Sequence, residues 1–234
     1  AYEITKTGKR DDSVVNHRIY RQKQEGLYYV EYHPVGGDAN VEHLLSALDY
    51  AVTLDQVEAR IAPDQSLYFI NLTADEARKI ADLTDDSAIN EFRRSVSCVG
   101  STVCQIGIQD SNGLLKAIFT HLEEKGVDTK KLPRLHISGC PHSCGTHQIG
   151  EIGFHGSVKL VDKKPTTSFM LVDGGSEHMG SENFGKMAGH IVATKIPEFM
   201  EALANKLNEA PEPDFGTWRL THKGQYMELI KAFE

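Results

Sequence analysis

Cys98, Cys104, Cys140 and Cys144 are the residues of this 234-residue sequence best suited to chemistry. They form a Cys-x5-Cys pair, a gap of 35 residues and a Cys-x3-Cys pair. Four thiolates can hold a structural zinc ion or a [4Fe–4S] cluster. Zinc knuckles favour gaps of two to four residues in both pairs, and the first pair exceeds that. A cluster offers an iron at each corner, so its ligands can arrive from two separate loops. Gly100, Ser101, Gly139, Ser143 and Gly145 let the backbone pass close to a bulky inorganic body. The competing reading is four unrelated thiols in a core, because free cysteine is among the most buried residue types.

Loops of this kind need a scaffold. Residues 134–137 alternate and run straight into Ser138-Gly139-Cys140, as a strand delivering a ligand would. Between the pairs, residues 112–125 carry Leu114, Leu115, Ile118, Phe119 and Leu122 at helical spacing. A strand or hairpin is expected at 149–161 and a strand at 168–172, followed by a glycine-rich loop at 173–185. Helices are expected at 184–194, at 197–208 with Pro197 in the first turn, and around 225–232. The first third has its own rhythm. Residues 27–35 read as a strand ended by Pro34, Gly36 and Gly37. Val41, Leu44, Leu45, Leu48 and Val52 make one helix face, with Asp38 or Asn40 as its cap. Strands near 57–61 and 67–72 follow, and Thr73 with Glu76 spells a capping box. Strand–helix–strand–strand–helix is the order of a ferredoxin-like module. Residues 1–25 are polar and charged and read as an arm or linker.

Composition narrows the function classes. Lys+Arg is 25 and Asp+Glu is 33, so the formal charge is 25 − 33 = −8, which argues against a nucleic-acid partner. No apolar run approaches the length of a bilayer span, and no secretory signal opens the chain, which leads to the expectation of a cytoplasmic protein without a membrane partner.

The residues around the cysteines carry a resemblance. Ser138-Gly139-Cys140-Pro141-His142-Ser143-Cys144 and the downstream Gly150-Glu151-Ile152-Gly153-Phe154 resemble the signature of the sirohaem and [4Fe–4S] nitrite/sulfite reductase family. Cys98-Val99-Gly100-Ser101-Thr102-Val103-Cys104 resembles that family's first cysteine pair. The resemblance implies an α+β chain: a ferredoxin-like half-domain over 26–86, after the arm at 1–25, then the α/β sirohaem/[4Fe–4S] domain over 87–234. It implies that all four cysteines ligate the cluster, and that Cys144 bridges to the sirohaem iron. The implied reaction is six-electron reduction of sulfite to sulfide or nitrite to ammonia, with ferredoxin as electron donor.

Sirohaem carries eight carboxylates, so the resemblance also implies a cationic pocket. Arg60 and Gln65 keep the matching positions of a family strand pattern, while Ala62 and Ser66 depart from it. Arg93 and Arg94 stand shortly before Cys98, where the family has an arginine facing the cofactor. Arg60, Arg93 and Arg94 are therefore expected at the anion or the cofactor, and backbone around Gly100, Ser101 and Thr102 or in the 173–185 loop can hold cofactor carboxylates. His136 and His155 read as ordinary strand residues, His142 as packing beside the cluster, and His147 as a possible proton carrier. Full-size members of the family consist of two such halves. Two organisations follow: the cluster-binding half of a longer reductase, favoured by Ala1 and the linker-like start, or a compact reductase that works by itself. The first implies a second half-domain as partner and a poor catalyst when isolated. From a different class, the chain can be an iron–sulfur electron-transfer or structural module without sirohaem.

Overall fold

Alternation decides the first sheet. Tyr28, Val30 and Tyr32 point to one side of strand β2 (Tyr28–Tyr32), and each is at most 1% exposed. Phe69 and Leu72 of β4 (Leu67–Leu72) join them. Helix α1 (Val41–Ala51) closes on this layer through Ala47 and Ala51, and helix α2 (Ala74–Leu83) through Ala77 and Ile80. Both helices start where their caps require. Asn40 accepts from the amides of Glu42 and His43, and Thr73 and Glu76 form the reciprocal capping box. With β3 (Glu58–Ile61) and β1 (Ile19–Arg21) the strands order as β1-β2-β4-β3, every neighbouring pair antiparallel.

The edge strand β1 (Ile19–Arg21) comes from the segment whose polarity suggested an arm. Ile19 pairs with Val30 and is 2% exposed, and Val14 is 4% exposed. The Tyr28 hydroxyl exchanges hydrogen bonds with the backbone of Asp11 at 2.8 and 2.9 Å, and Arg78 pairs with the Asp11 carboxylate. With Lys6 paired to Glu76 at 2.7 Å as well, a few apolar contacts and two charge pairs to α2 thus dock a polar segment.

This computed structural model describes residues 3–234, and the chain divides into two units between Asn90 and Glu91. The second unit holds a five-stranded sheet ordered β5-β6-β7-β8-β9. Strands β5 (Val96–Ser97), β6 (Leu135–Ser138) and β7 (Ile152–Val161) run parallel, while β8 (Lys164–Asp173) and β9 (Lys186–Val192) continue antiparallel. Parallel strands need a crossover, and helix α3 (Ser111–Glu124) supplies it between β5 and β6. Its buried face, Leu115, Ile118 and Leu122, packs on helix α4 (Ile196–Glu209), which buries Phe199, Leu203 and Leu207.

The helix expected at 184–194 is strand β9. Gly189 and Ile191 are buried at a spacing of two, while Lys186 and Met187 are exposed, and β8 supplies an antiparallel partner from Ser168↔Val192 to Asp173↔Lys186. Tertiary pairing outweighs a local pattern that fits either element. Helix α5 (Phe215–Thr221), which buries Trp218, precedes α6 (Lys223–Phe233). Among the described residues no helix is long and apolar enough to cross a membrane.

Candidate metal centre

Two adjacent parallel strands end at the same edge of a sheet, and ligand sites form at such edges. Cys98 immediately follows β5, and Cys140 follows β6 by two residues. The register Ser97↔Ile137 continues as the Cys98 amide donates to Ile137 O at 3.0 Å. Beyond the strands the two loops bond directly. The amides of Ile108 and Gln109 both donate to Gly139 O, at 3.1 and 2.8 Å, and the Gly139 amide donates to Cys98 Sγ at 3.1 Å.

Glycines permit this contact. A Cβ on Gly139 would lie 2.5 Å from Gln109 O, and one on Gly156 of β7 would lie 2.1 Å from Gly139 O. Gly100 sits at φ +67, and its Cβ would lie 2.6 Å from the Ser111 amide. Three backbone segments therefore stack with no room for side chains, which fixes the first cysteine loop against the second.

All four thiols are free. Cys140 is buried, Cys98 and Cys104 are partly covered, and Cys144 is exposed. Cys98 Sγ lies 3.1 Å from Ser111 Oγ, and Cys140 Sγ lies 3.3 Å from His142 Nδ1. Val99, Val103, Ile106 and Ile108 expose apolar side chains along the first loop. Free thiols, an amide aimed at sulfur and an apolar rim match the requirements of an iron–sulfur cluster, whose potential depends on hydrogen bonds to sulfur and on exposure.

Two of the histidines, His136 and His147, are more deeply placed than their positions in the sequence suggest. His136 is 2% exposed and bonds Thr146 Oγ1 at 2.7 Å. His147 is 3% exposed, with Nδ1 2.9 Å from Ser138 Oγ and its ring 4.8 Å from that of His155. Burial, with a smaller contribution from His155, lowers its pKa to about 4, so it is neutral at pH 7. His155 is half-buried on β7, and His142 is exposed beside Cys140.

The three arginines are placed less favourably. Arg60, on β3 of the first unit, is exposed and bonds Glu58 Oε2 through Nε and Nη2 at 3.0 and 2.8 Å. Arg93 and Arg94 lie in a single 3-10 turn that enters β5, whereas Cys98 leaves it. Arg93 pairs with Glu123 and lies 4.5 Å over the Phe119 ring, and Arg94 bonds Glu91 at 3.1 Å. Some of the expected donors are also engaged. The Ser101 amide donates to Gln109 O and the Thr102 hydroxyl to Val99 O. In the glycine-rich loop, the amides of Gly174, Gly175 and Gly185 donate to the carbonyls of Glu151, Gly150 and Gln148. Those three bonds tie the loop to the segment that enters β7. The bonds of Ser138 to His147 and of Thr146 to His136 have no counterpart in the sequence, because a serine in a strand and a threonine in a loop carry no spacing signal.

Comparison with known proteins agrees with this geometry. The family described as the nitrite and sulphite reductase 4Fe-4S domain matches residues 88–210, more than half of the chain. The ferredoxin–nitrite reductase of Synechococcus elongatus is 26% identical over 193 residues, covering 79% of this chain and 37% of that protein. The sulfite reductase [NADPH] hemoprotein beta-component of Bacillus licheniformis is 27% identical over 126 residues, covering 49% of this chain and 22% of that protein. The chain thus spans well under half the length of these relatives. The solved structure of the Mycobacterium tuberculosis NirA protein has a TM-score of 0.71 at 20% identity, covering 91% of this chain and 41% of that one, which shows a shared fold. With a matching domain of this extent around both cysteine pairs, the chain belongs to the nitrite and sulphite reductase 4Fe-4S domain family.

Proposed function

We propose that this chain provides the metal centre of a sirohaem-dependent reductase of nitrite or sulfite, with Cys98, Cys104, Cys140 and Cys144 ligating a [4Fe–4S] cluster and Cys144 shared with the sirohaem iron. The observation that carries the reading is the junction of the two cysteine loops. They leave the same ends of adjacent parallel strands and bond to each other through Gly139, which brings Cys98 and Cys140, distant in sequence, to one edge of the sheet. Cys144 is the exposed thiol, the one able to face a second group.

Bound cluster and sirohaem supply one-electron redox chemistry. The protein's part is ligation, shielding and charge. The Gly139 amide donates to Cys98 Sγ, the kind of hydrogen bond to sulfur that tunes a cluster's potential, and Val99, Val103, Ile106 and Ile108 present apolar side chains along the first loop. Arg60, Arg93 and Arg94 are the proposed cations for cofactor carboxylates or the anion. Each now bonds a carboxylate, of Glu58, Glu123 or Glu91, and must release it to serve. We place the ferredoxin-like half-domain before Asn90, with the former arm as its edge strand, and the cluster domain after it. The proposed electron donor is ferredoxin, and residues outside this chain complete the anion site.

Anaerobic reconstitution with iron and sulfide tests this. The expected yield is about four irons per chain before sirohaem is added. Zinc with negligible iron overturns the reading. A loaded cluster with no Soret band after sirohaem is supplied favours an electron-transfer module instead.

A further inference from the structure

The turn that carries Cys144 is held in an unfavourable backbone conformation. Ser143 and Thr146, on either side of Cys144-Gly145, adopt φ of 61° and 51°. Positive φ is uncommon for any residue other than glycine and an outlier for a β-branched one such as Thr146. Such a conformation persists only where its surroundings impose it, and outliers of this kind gather at functional sites.

The surroundings here are four hydrogen bonds. Ser138 Oγ, at the end of β6 and 1% exposed, accepts from the Gly145 amide at 3.0 Å. The same hydroxyl bonds Nδ1 of buried His147 at 2.9 Å. His136, two residues before Ser138 on the same face of β6, bonds Thr146 Oγ1 at 2.7 Å. The Thr146 amide closes the turn onto Ser143 O at 2.8 Å. Below it, a Cβ on Gly145 would lie 2.0 Å from Ile137 O, so the turn rests directly on the strand.

We infer that His136, Ser138 and His147 are positioning residues that fix the direction of the Cys144 thiol, so that the exposed ligand is aimed before any cofactor arrives. This rests on the proposed role of Cys144 as a shared ligand. None of the three needs to touch metal. They act through the amide of Gly145 and the hydroxyl of Thr146, the residues that follow Cys144, as partners behind ligands do elsewhere.

Paired variants test it in the full chain. Thr146→Ala removes the hydroxyl that His136 holds, and Thr146→Ser restores it at a half-buried position where folding is not at stake. His147→Leu breaks the bond to Ser138, and His147→Asn keeps a polar atom at the Nδ1 position. Hydrogen exchange at the Gly145 amide should rise roughly fivefold in Thr146→Ala and in His147→Leu and return towards wild type in Thr146→Ser and His147→Asn. In protein reconstituted with iron and sulfide, the first two should shift the EPR signal of the reduced cluster at unchanged iron content, and the conservative pair should restore it. Unchanged exchange at Gly145, or faster exchange with an unshifted signal, overturns the inference. Loaded wild type with normal iron in that same experiment leaves the cofactor reading standing. A wild type that takes up no iron sinks that reading, and the inference with it.

Discussion

Gly139→Ala is the sharpest perturbation of the junction between the cysteine loops. The new methyl would begin 2.5 Å from Gln109 O and 3.0 Å from Gly100 Cα, both backbone atoms that no rotamer change can move aside. Ordinary contact starts near 3.4 Å, so the 98–109 loop must retreat by ~0.9 Å, the difference 3.4 − 2.5. That retreat strains the two hydrogen bonds to Gly139 O, now 3.1 and 2.8 Å. Overpacking costs about 1–3 kcal/mol and two weakened bonds add about 1 kcal/mol, so the expected loss is about 2–4 kcal/mol. For a chain of this size each kcal/mol shifts Tm by about 2–4 °C, which gives a fall of about 4–16 °C. Thermal unfolding followed by circular dichroism, with iron analysis after anaerobic reconstitution, reads both consequences. Gly224→Ala is the control: its Cβ meets nothing within 4 Å on helix α6, and it should leave stability equal or raised by up to about 1 kcal/mol. If Gly139→Ala melts within 1–2 °C of wild type and loads its full iron, the two loops are not held by backbone contact and the account of the centre is wrong.

The remaining predictions concern ligands and protons. Cys98→Ser should abolish cluster loading, whereas Cys144→Ser should keep the fold and lose the haem; equal cofactor content in Cys144→Ser and wild type would reject its bridging role. His147 is held neutral by a pKa lowered from 6.5 to about 4. The unfolded chain takes up a proton that the fold refuses, so stability present above pH 6.5 is lost as pH falls towards 4, by about 3 kcal/mol in total. Denaturant titrations of wild type and His147→Asn across this window should show the slope in the first and its loss in the second; parallel curves would contradict the burial argument.

Much of the scaffold was readable because its signals are local. Asn40 and the Thr73–Glu76 box start their helices where side-chain capping predicts, and the apolar spacing of α3 and α4 survives into their buried faces. Strand β6 could be anticipated because it runs directly into its ligand loop. What stayed hidden depends on partners distant in the chain. Strand β1 shows a single inward apolar residue, Ile19, in a polar stretch, and only β2 makes it a strand. Strand β9 is specified by β8. For the site, the cysteines announced themselves by spacing. The engagement of Arg93 by Glu123 and Phe119, thirty and twenty-six residues away, has no counterpart in the sequence.

The parallel pairing of β5 with β6 also sets a timetable. A hairpin would bring its two halves together as soon as the second emerged from synthesis, but here α3 must form and cross over first. Gly156, on the third parallel strand, then packs against Gly139 from the far side. The first cysteine pair therefore waits, as reduced and reactive thiols, while roughly fifty further residues are made, a delay of about 3–10 s at ordinary elongation rates. On the proposed ligation, iron delivered to the nascent chain before Cys140 is made would meet two ligands instead of four. On that reading metal insertion follows folding of the domain, and oxidising conditions do most damage during that interval.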